Sequence, residues 1–84
     1  MITRESIEIA YSFLHQKRNV YIHSSLYRQR DDIEYAIASY VDDMSEELLE
    51  SISGGITNFL KEHTRFEEDM TIAVNTLERM LELK

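Results

Sequence analysis

The chain has 84 residues, a net charge of −7, no cysteine and no proline. Without cysteine, these residues contain no disulfide, no cysteine nucleophile and no thiolate metal site. A hydrophobic share of 43% argues against intrinsic disorder, and no run approaches the roughly 18 apolar residues of a membrane span. We expect one soluble domain over residues 1–84, and a cytoplasmic location because small secreted domains usually depend on disulfides.

The scarcity of turn-forming residues favours an all-helical fold. The only two glycines are adjacent, at Gly54 and Gly55. A β-rich domain of this length would need several turns, and turns draw on glycine and proline. Apolar residues recur at helical spacing in four stretches. The sequence therefore predicts an all-α fold, a small antiparallel bundle of about four short helices.

The first predicted helix covers about residues 4–18, with Thr3 as its N-cap. The following segment, residues 19–25, contains three consecutive β-formers between polar residues. We predict a structured connection there, with an extended backbone as one alternative. Ser24 or Ser25 is expected to cap the second helix.

Two of the predicted helices carry apolar stripes with alternating steps of four and three residues, as in a heptad repeat, from Ile33 onwards in the second helix and from Phe66 onwards in the fourth. The stripe of the second helix is Leu26, Ile33, Ile37, Tyr40 and Met44, and that of the fourth is Phe66, Met70, Ala73, Leu77 and Met80. The fourth helix is also expected to begin with a capping box formed by Thr64 and Glu67. Because such stripes can leave apolar surface for a second copy to cover, we expect a homodimer.

The third predicted helix is capped by Ser45, and its stripe keeps the same phase through the two glycines. The stripe consists of Leu49, Ile52, Ile56, Phe59 and His63. One explanation for Gly54 and Gly55 is that the helix ends near Ser53. The other is a continuous helix that a second helix crosses closely, and the unbroken stripe favours this close crossing.

The sequence contains no catalytic or metal-binding motif. Its three histidines, at positions 15, 23 and 63, do not form an HExxH or ExxH pattern. Neighbouring acids, such as Asp31 and Asp32, point about 100° apart on a helix and do not converge on a cation. The glycine pair lacks the phosphate-loop pattern. We predict no catalytic residues, no metal, no cofactor and no enzymatic activity.

Residues 15–30 form a basic island, because they contain four cations and no acid. Residues 1–30 have five basic and two acidic side chains, a net of +3, whereas residues 31–84 have four and fourteen, a net of −10. Such an asymmetry can mark a binding surface, and two tyrosines lie within the island. The predicted partner-binding residues are Lys17, Arg18, Tyr21, Tyr27, Arg28 and Arg30.

Several roles for the basic island remain open from the sequence. Its cations can pair within the helix, Arg28 with Asp31 or Asp32 and Arg30 with Glu34. They can also attract a second copy of the chain or an acidic protein. Nucleic acid is a further alternative, but a net charge of −7 counts against it.

The prediction is a small cytoplasmic helical protein that acts by binding proteins, as a regulator, adaptor, inhibitor or chaperone-like factor. Its expected partners are a second copy of itself and another protein, with no membrane. The alternative is a nucleic-acid-associated regulator that uses residues 15–30.

Overall fold

The computed structural model describes residues 2–82, which form four α-helices and a 3₁₀ turn at His63–Arg65. The helices are α1 at Arg4–His23, α2 at Tyr27–Asp43, α3 at Glu46–Ser53 and α4 at Phe66–Met80. This part of the chain has no β-strand, so the predicted all-α bundle of about four helices is confirmed. None of its helices combines the length and the apolar character that crossing a membrane requires.

The most extensive helix contact is between α1 and α4, which run antiparallel. Near the start of α1, the Tyr11 hydroxyl donates to Glu78 Oε1 at 3.1 Å. Near its end, Arg18 Nε donates to Thr71 Oγ1 at 2.9 Å. The contacts move backwards along α4 as they move forwards along α1, which fixes the antiparallel orientation.

The α2 helix packs against α1, also antiparallel. The rings of Phe13 and Tyr40 stack at a centroid distance of 4.4 Å. Two turns further along α1, the hydroxyl of Tyr21 donates to Glu34 Oε2 at 3.0 Å. The short α3 helix packs against α4.

The apolar core draws side chains from all four α-helices and from the irregular segment 54–62. Its buried members are Ala10, Leu14, Tyr21, Ile33, Ile37, Val41, Leu48, Ile52, Phe59, Leu60, Phe66, Met70, Ala73, Val74 and Leu77. Most of the α2 and α4 stripes therefore lie inside the bundle. Leu26 is an exception, since it is 64% exposed. The stripes are used within one chain, so the predicted homodimer must rest on other surfaces.

The first helix is longer than predicted, because residues 19–23 continue α1 instead of forming a separate connection. Tyr21 follows Leu14 by seven residues and is only 4% exposed. Its ring lies 5.7 Å from that of Phe66. Burial of an aromatic side chain outweighs the weak β preference of its neighbours, and only residues 24–26 separate α1 from α2.

Two of the predicted N-caps are confirmed. The Thr3 side chain accepts from the backbone of Ser6 at 3.1 Å, and the Ser6 hydroxyl accepts from the backbone of Thr3 at 3.1 Å, which completes a capping box. Ser45 accepts from the backbone N–H of Leu48 at 3.3 Å.

The other two predicted caps are wrong. The N-cap of α2 is Leu26, which makes no capping bond, since Ser24 Oγ instead accepts from the Leu26 N–H within the linking turn at 3.3 Å. Thr64 lies inside the 3₁₀ turn, and α4 begins after Arg65 without a side-chain cap. The 3₁₀ turn runs directly into α4 and leaves no extended residue at position 64 to act as a cap.

The predicted close crossing at the glycines is also wrong, because α3 ends at Ser53. Gly54 and Gly55 have φ angles of 61° and 86°, in the left-handed region where glycine has no steric cost. A Cβ at either position would meet nothing within 4 Å. The glycines therefore end the helix, and the stripe residues beyond them lie in an irregular segment despite their helical spacing.

A buried acid holds the segment 54–62 in place. Asp69, in the first turn of α4, is 1% exposed and its Oδ2 accepts from the Leu60 N–H at 3.0 Å. Arg65 donates to the Thr57 carbonyl at 2.7 Å, and its Nε lies 3.6 Å from Asp69 Oδ1, longer than a hydrogen bond. These contacts fix the chain leading into the 3₁₀ turn and so position His63.

Candidate functional site

The basic island lies at one end of the α1–α2 hairpin. We define the α1–α2 corner as residues 17–30, which comprise the last two turns of α1, the linking residues 24–26 and the first turn of α2. Because the two helices are antiparallel and the link is short, this end of the hairpin places the last turns of α1 beside the first turn of α2.

Two of the island's cations lie along α1 and are partly buried. Lys17 Nζ is 5.6 Å from the centre of the Phe13 ring, a cation–π distance. Arg18, hydrogen bonded to Thr71, shares a shallow groove with Glu67 and Glu68 of α4. Arg18 thus lies in the same groove as acids about 50 residues later in the sequence, which lower the positive electrostatic potential on this side of α1.

Arg30 and Tyr21 form the inner layer of the corner. The Arg30 guanidinium carbon lies 5.0 Å from the centre of the Tyr21 ring, and its Nε donates to the Ser24 carbonyl at 3.1 Å. Burial, followed by the hydrogen bond to Glu34, raises the pKa of Tyr21 to about 12. Tyr21 was predicted as a surface contact, but its ring belongs to the core and supports the corner from within.

Tyr27 and Arg28 form the outer layer. Tyr27 is 83% exposed, and Arg28 is exposed and makes no hydrogen bond or ion pair within residues 2–82. The predicted pairings of Arg28 with Asp31 or Asp32 are therefore absent. Arg30 does not pair with Glu34 either, because Arg30 turns to the Ser24 carbonyl and Glu34 is engaged elsewhere.

Exposed apolar side chains are concentrated at and beside the corner. Within residues 2–82, the large exposed hydrophobic side chains are those of Ile9, Val20, Leu26, Tyr27 and Tyr35. Three of them belong to the corner. Tyr35 is 78% exposed and follows Arg28 by seven residues, which places both on one face of α2. Only Ile9 lies elsewhere.

A second feature of the structure is a polar cluster of Asp31, Glu34 and His63. His63 Nδ1 lies 2.8 Å from Glu34 Oε2 and 3.0 Å from Oε1. One potential ligand atom from each of the three side chains lies within 4.8 Å of the others. The hydrogen bond to Glu34, followed by its charge, raises the pKa of His63, and desolvation and Arg30 oppose the rise.

No sequence pattern predicted this cluster. The prediction placed His63 at the end of the α3 stripe, 29 residues from Glu34 and without a motif between them. Recognising the glycine pair as a helix stop would have removed His63 from that stripe. It would not have identified Glu34 as its neighbour.

The α2 helix is joined to the chain before α4 by two polar contacts. One is the His63–Glu34 contact, and the other is the ion pair of Lys61 Nζ with Asp42 Oδ1 at 2.7 Å. Between them lies an open groove of about 440 Å³, lined by Asp31, Glu34, Tyr35, Ala38, Asp42, Leu60, Lys61 and Phe66. Two polar pairs therefore bridge α2 and the chain before α4 at the rim of this groove.

No protein-family model, curated protein or solved structure matches this chain.

Proposed function

We propose that this chain is a non-enzymatic cytoplasmic module that binds proteins, as a regulator or adaptor, through the α1–α2 corner. The observation that carries the proposal is the exposure of Leu26 and Tyr27 beside the unpaired cation of Arg28. An aromatic ring, an aliphatic side chain and an arginine on one exposed turn have the composition of an interaction hot spot.

The charge around the corner favours an acidic protein surface over nucleic acid. Of its four Lys and Arg cations, Lys17 and Arg30 lie over aromatic rings and Arg18 faces the acids of α4. Among these four, Arg28 alone makes no hydrogen bond, ion pair or ring contact within residues 2–82. Nucleic acid binding draws its affinity from several simultaneous phosphate contacts, whereas one arginine beside exposed apolar side chains suits a protein.

A second copy of the chain is the first partner to expect. Residues 31–84 have ten more acidic than basic side chains, so they offer the acidic surface that the corner complements. A different acidic protein could bind the corner through the same contacts. Identifying the protein that crosslinks in native lysate distinguishes the two partners.

Site-specific photo-crosslinking tests the proposal. A photoreactive phenylalanine analogue replaces Tyr27, and a matched sample carries it at Ile9, the exposed apolar position away from the corner. Irradiation in native lysate should yield a protein adduct from position 27 and none from position 9. Adding Arg28→Ala should reduce the yield severalfold.

Two outcomes would contradict the proposal. One is equal crosslinking from positions 27 and 9, which would indicate nonspecific hydrophobic contact. The other is binding of labelled oligonucleotides at physiological salt, with an affinity that falls steeply as salt rises and less steeply in Arg28→Ala. That result would favour the nucleic-acid alternative.

A further inference from the structure

We propose that Asp31, Glu34 and His63 form a binding site for a divalent transition metal of the Zn²⁺ class, which joins α2 to the 3₁₀ turn. The three ligands lie outside residues 17–30, and this proposal does not depend on the function proposed for the corner.

The spacing of the ligand atoms suits such an ion. A metal bound at about 2.1 Å holds neighbouring ligand atoms roughly 3–3.5 Å apart. His63 Nδ1 already lies 2.8 Å and 3.0 Å from the two oxygens of Glu34. Asp31 stands three residues before Glu34 on the same face of α2, with a carboxylate oxygen inside the 4.8 Å span of the cluster. Metal binding at this site would require a side-chain rotation that brings the Asp31 carboxylate to the same spacing.

The donor set selects the class of metal. One imidazole nitrogen with two carboxylate oxygens is a ligand combination that zinc accepts in proteins, with water in the remaining position. Magnesium and calcium prefer sites made entirely of oxygen. The imidazole therefore favours zinc over the two abundant hard cations.

Tyr21, which is not itself a ligand, fixes the orientation of the Glu34 carboxylate. The Glu34 side chain is 17% exposed, and the buried hydroxyl of Tyr21 donates to its Oε2 at 3.0 Å. A hydrogen bond of this kind fixes the orientation of a ligating carboxylate. The cluster thus has one fixed ligand on α2, one neighbour a turn before it and one ligand that arrives from the 3₁₀ turn.

Binding would have a structural consequence. The ligands lie on two elements whose present connections on this side are the His63–Glu34 contact and the Lys61–Asp42 pair. A metal that replaces the His63–Glu34 contact would tie residues 29 positions apart, and anything that binds the folded state selectively stabilises it.

The test is a zinc titration of the full chain, followed by two-dimensional NMR and calorimetry at neutral pH. We expect one zinc per chain, with the largest shifts in the His63 ring and in the amides around Asp31 and Glu34. Magnesium and calcium at the same concentrations should leave these signals unchanged. His63→Gln and Glu34→Gln should each weaken binding about tenfold or more.

The chain offers close controls for two of the ligands. Asp31→Asn should weaken zinc binding severalfold, whereas Asp32→Asn, its exposed neighbour outside the cluster, should not. His23→Gln should bind like the wild type. Zinc shifts centred on His15 or His23, equal effects of Asp31→Asn and Asp32→Asn, or no zinc binding by the wild type would overturn the proposal. The NMR result on the wild type decides even where a variant is unstable.

Discussion

A single carboxylate determines the course of the chain that delivers His63. Asp69 is buried, and its Oδ2 is the acceptor for the N–H of Leu60. Leu60 has a φ of 60°, a left-handed conformation that costs a branched residue about 1–2 kcal/mol. The buried hydrogen bond and the burial of the Leu60 side chain offset this cost.

Replacing Asp69 with alanine should therefore destabilise the fold. The change leaves the Leu60 N–H buried without an acceptor, which costs about 1–3 kcal/mol of unfolding free energy. Urea denaturation measures the loss. Glu68→Ala, an exposed neighbour in the same helical turn, should stay within about 0.5 kcal/mol of the wild type. Similar losses in both variants would show that the segment does not depend on Asp69.

The raised pKa of Tyr21 predicts that the free energy of unfolding falls at alkaline pH. An unfolded tyrosine ionises near pH 10, whereas the pKa of Tyr21 in the folded chain is about 12. Folding therefore favours the neutral phenol, so its contribution is complete below pH 10 and is lost as the pH rises towards 12. The charged groups involved are Glu34 and Glu67, which raise the pKa of Tyr21, and Arg30, which lowers it.

Tyr21→Phe isolates this effect, because the other titrating groups remain. At pH 7 the variant should lose about 0.5–1.5 kcal/mol, the net worth of one hydrogen bond. As the pH rises from 9.5 to 11.5, the wild type should lose more stability than the variant, so the gap between their urea midpoints narrows. Parallel curves over this range would contradict the burial of the phenol.

At the level of helices, the end of α3 is the element that the sequence left ambiguous. A positive φ with open space around it means that the cost of a side chain at Gly54 is conformational and not steric. Gly54→Ala should lose about 1 kcal/mol, whereas Gly54→Asn should lose less because asparagine tolerates the left-handed region.

The order of these two variants separates the two explanations. If another helix crossed closely at the glycine pair, the larger asparagine would be more damaging than alanine. Chemical denaturation of both variants gives the order, with Ser51→Ala in the same helix as a control expected within about 0.5 kcal/mol. A larger loss in the asparagine variant would restore the close crossing.

Periodicity predicted the helices well where local pattern and tertiary packing agree. The α4 stripe from Phe66 to Leu77 is buried as expected, and Thr3 and Ser45 cap their helices. The predictions failed where a distant contact decides. Tyr21 extends α1 because its ring packs beside Phe66, and the seven-residue spacing from Leu14 is the local sign of this burial that the prediction missed.

The two candidate sites also differ in whether local sequence or distant contacts determine them. Tyr27 and Arg28 lie on the surface, as a polar and basic stretch suggests. The cluster of Asp31, Glu34 and His63 depends on a helix stop, a left-handed segment and a buried acid acting together. Each of these is a local feature. Their combined effect on where His63 lies relative to Asp31 and Glu34 cannot be predicted from the sequence, because it depends on the folded chain.

Across the whole molecule, the separation of charge along the sequence is partly cancelled by folding. The antiparallel packing of α1 on α4 places Arg18 in a groove with Glu67 and Glu68. The corner is therefore less positive than residues 1–30 suggest, and its exposed apolar side chains become the more distinctive property. Binding at the corner should accordingly show a weaker dependence on salt than several unpaired arginines would produce.

The oligomeric state follows from what the corner leaves exposed. The heptad-like stripes are used inside the bundle, so a dimer has to cover other apolar surface. Within residues 2–82, Leu26 and Tyr27 are the two large exposed hydrophobic side chains that are adjacent in sequence. Light scattering at micromolar concentration should give about twice the 9.9 kDa mass of one chain. Leu26→Ser with Tyr27→Ser should shift the protein towards the monomer at the same concentration without unfolding the chain, since both side chains are exposed. Ile9→Ser, the exposed apolar control away from the corner, should leave the dimer intact.

Two results would contradict this prediction. A wild-type monomer over the whole concentration range would exclude a second copy as the partner, so that an unrelated acidic protein would be expected at the corner. A dimer that survives the double substitution would show that a different face holds the two chains together.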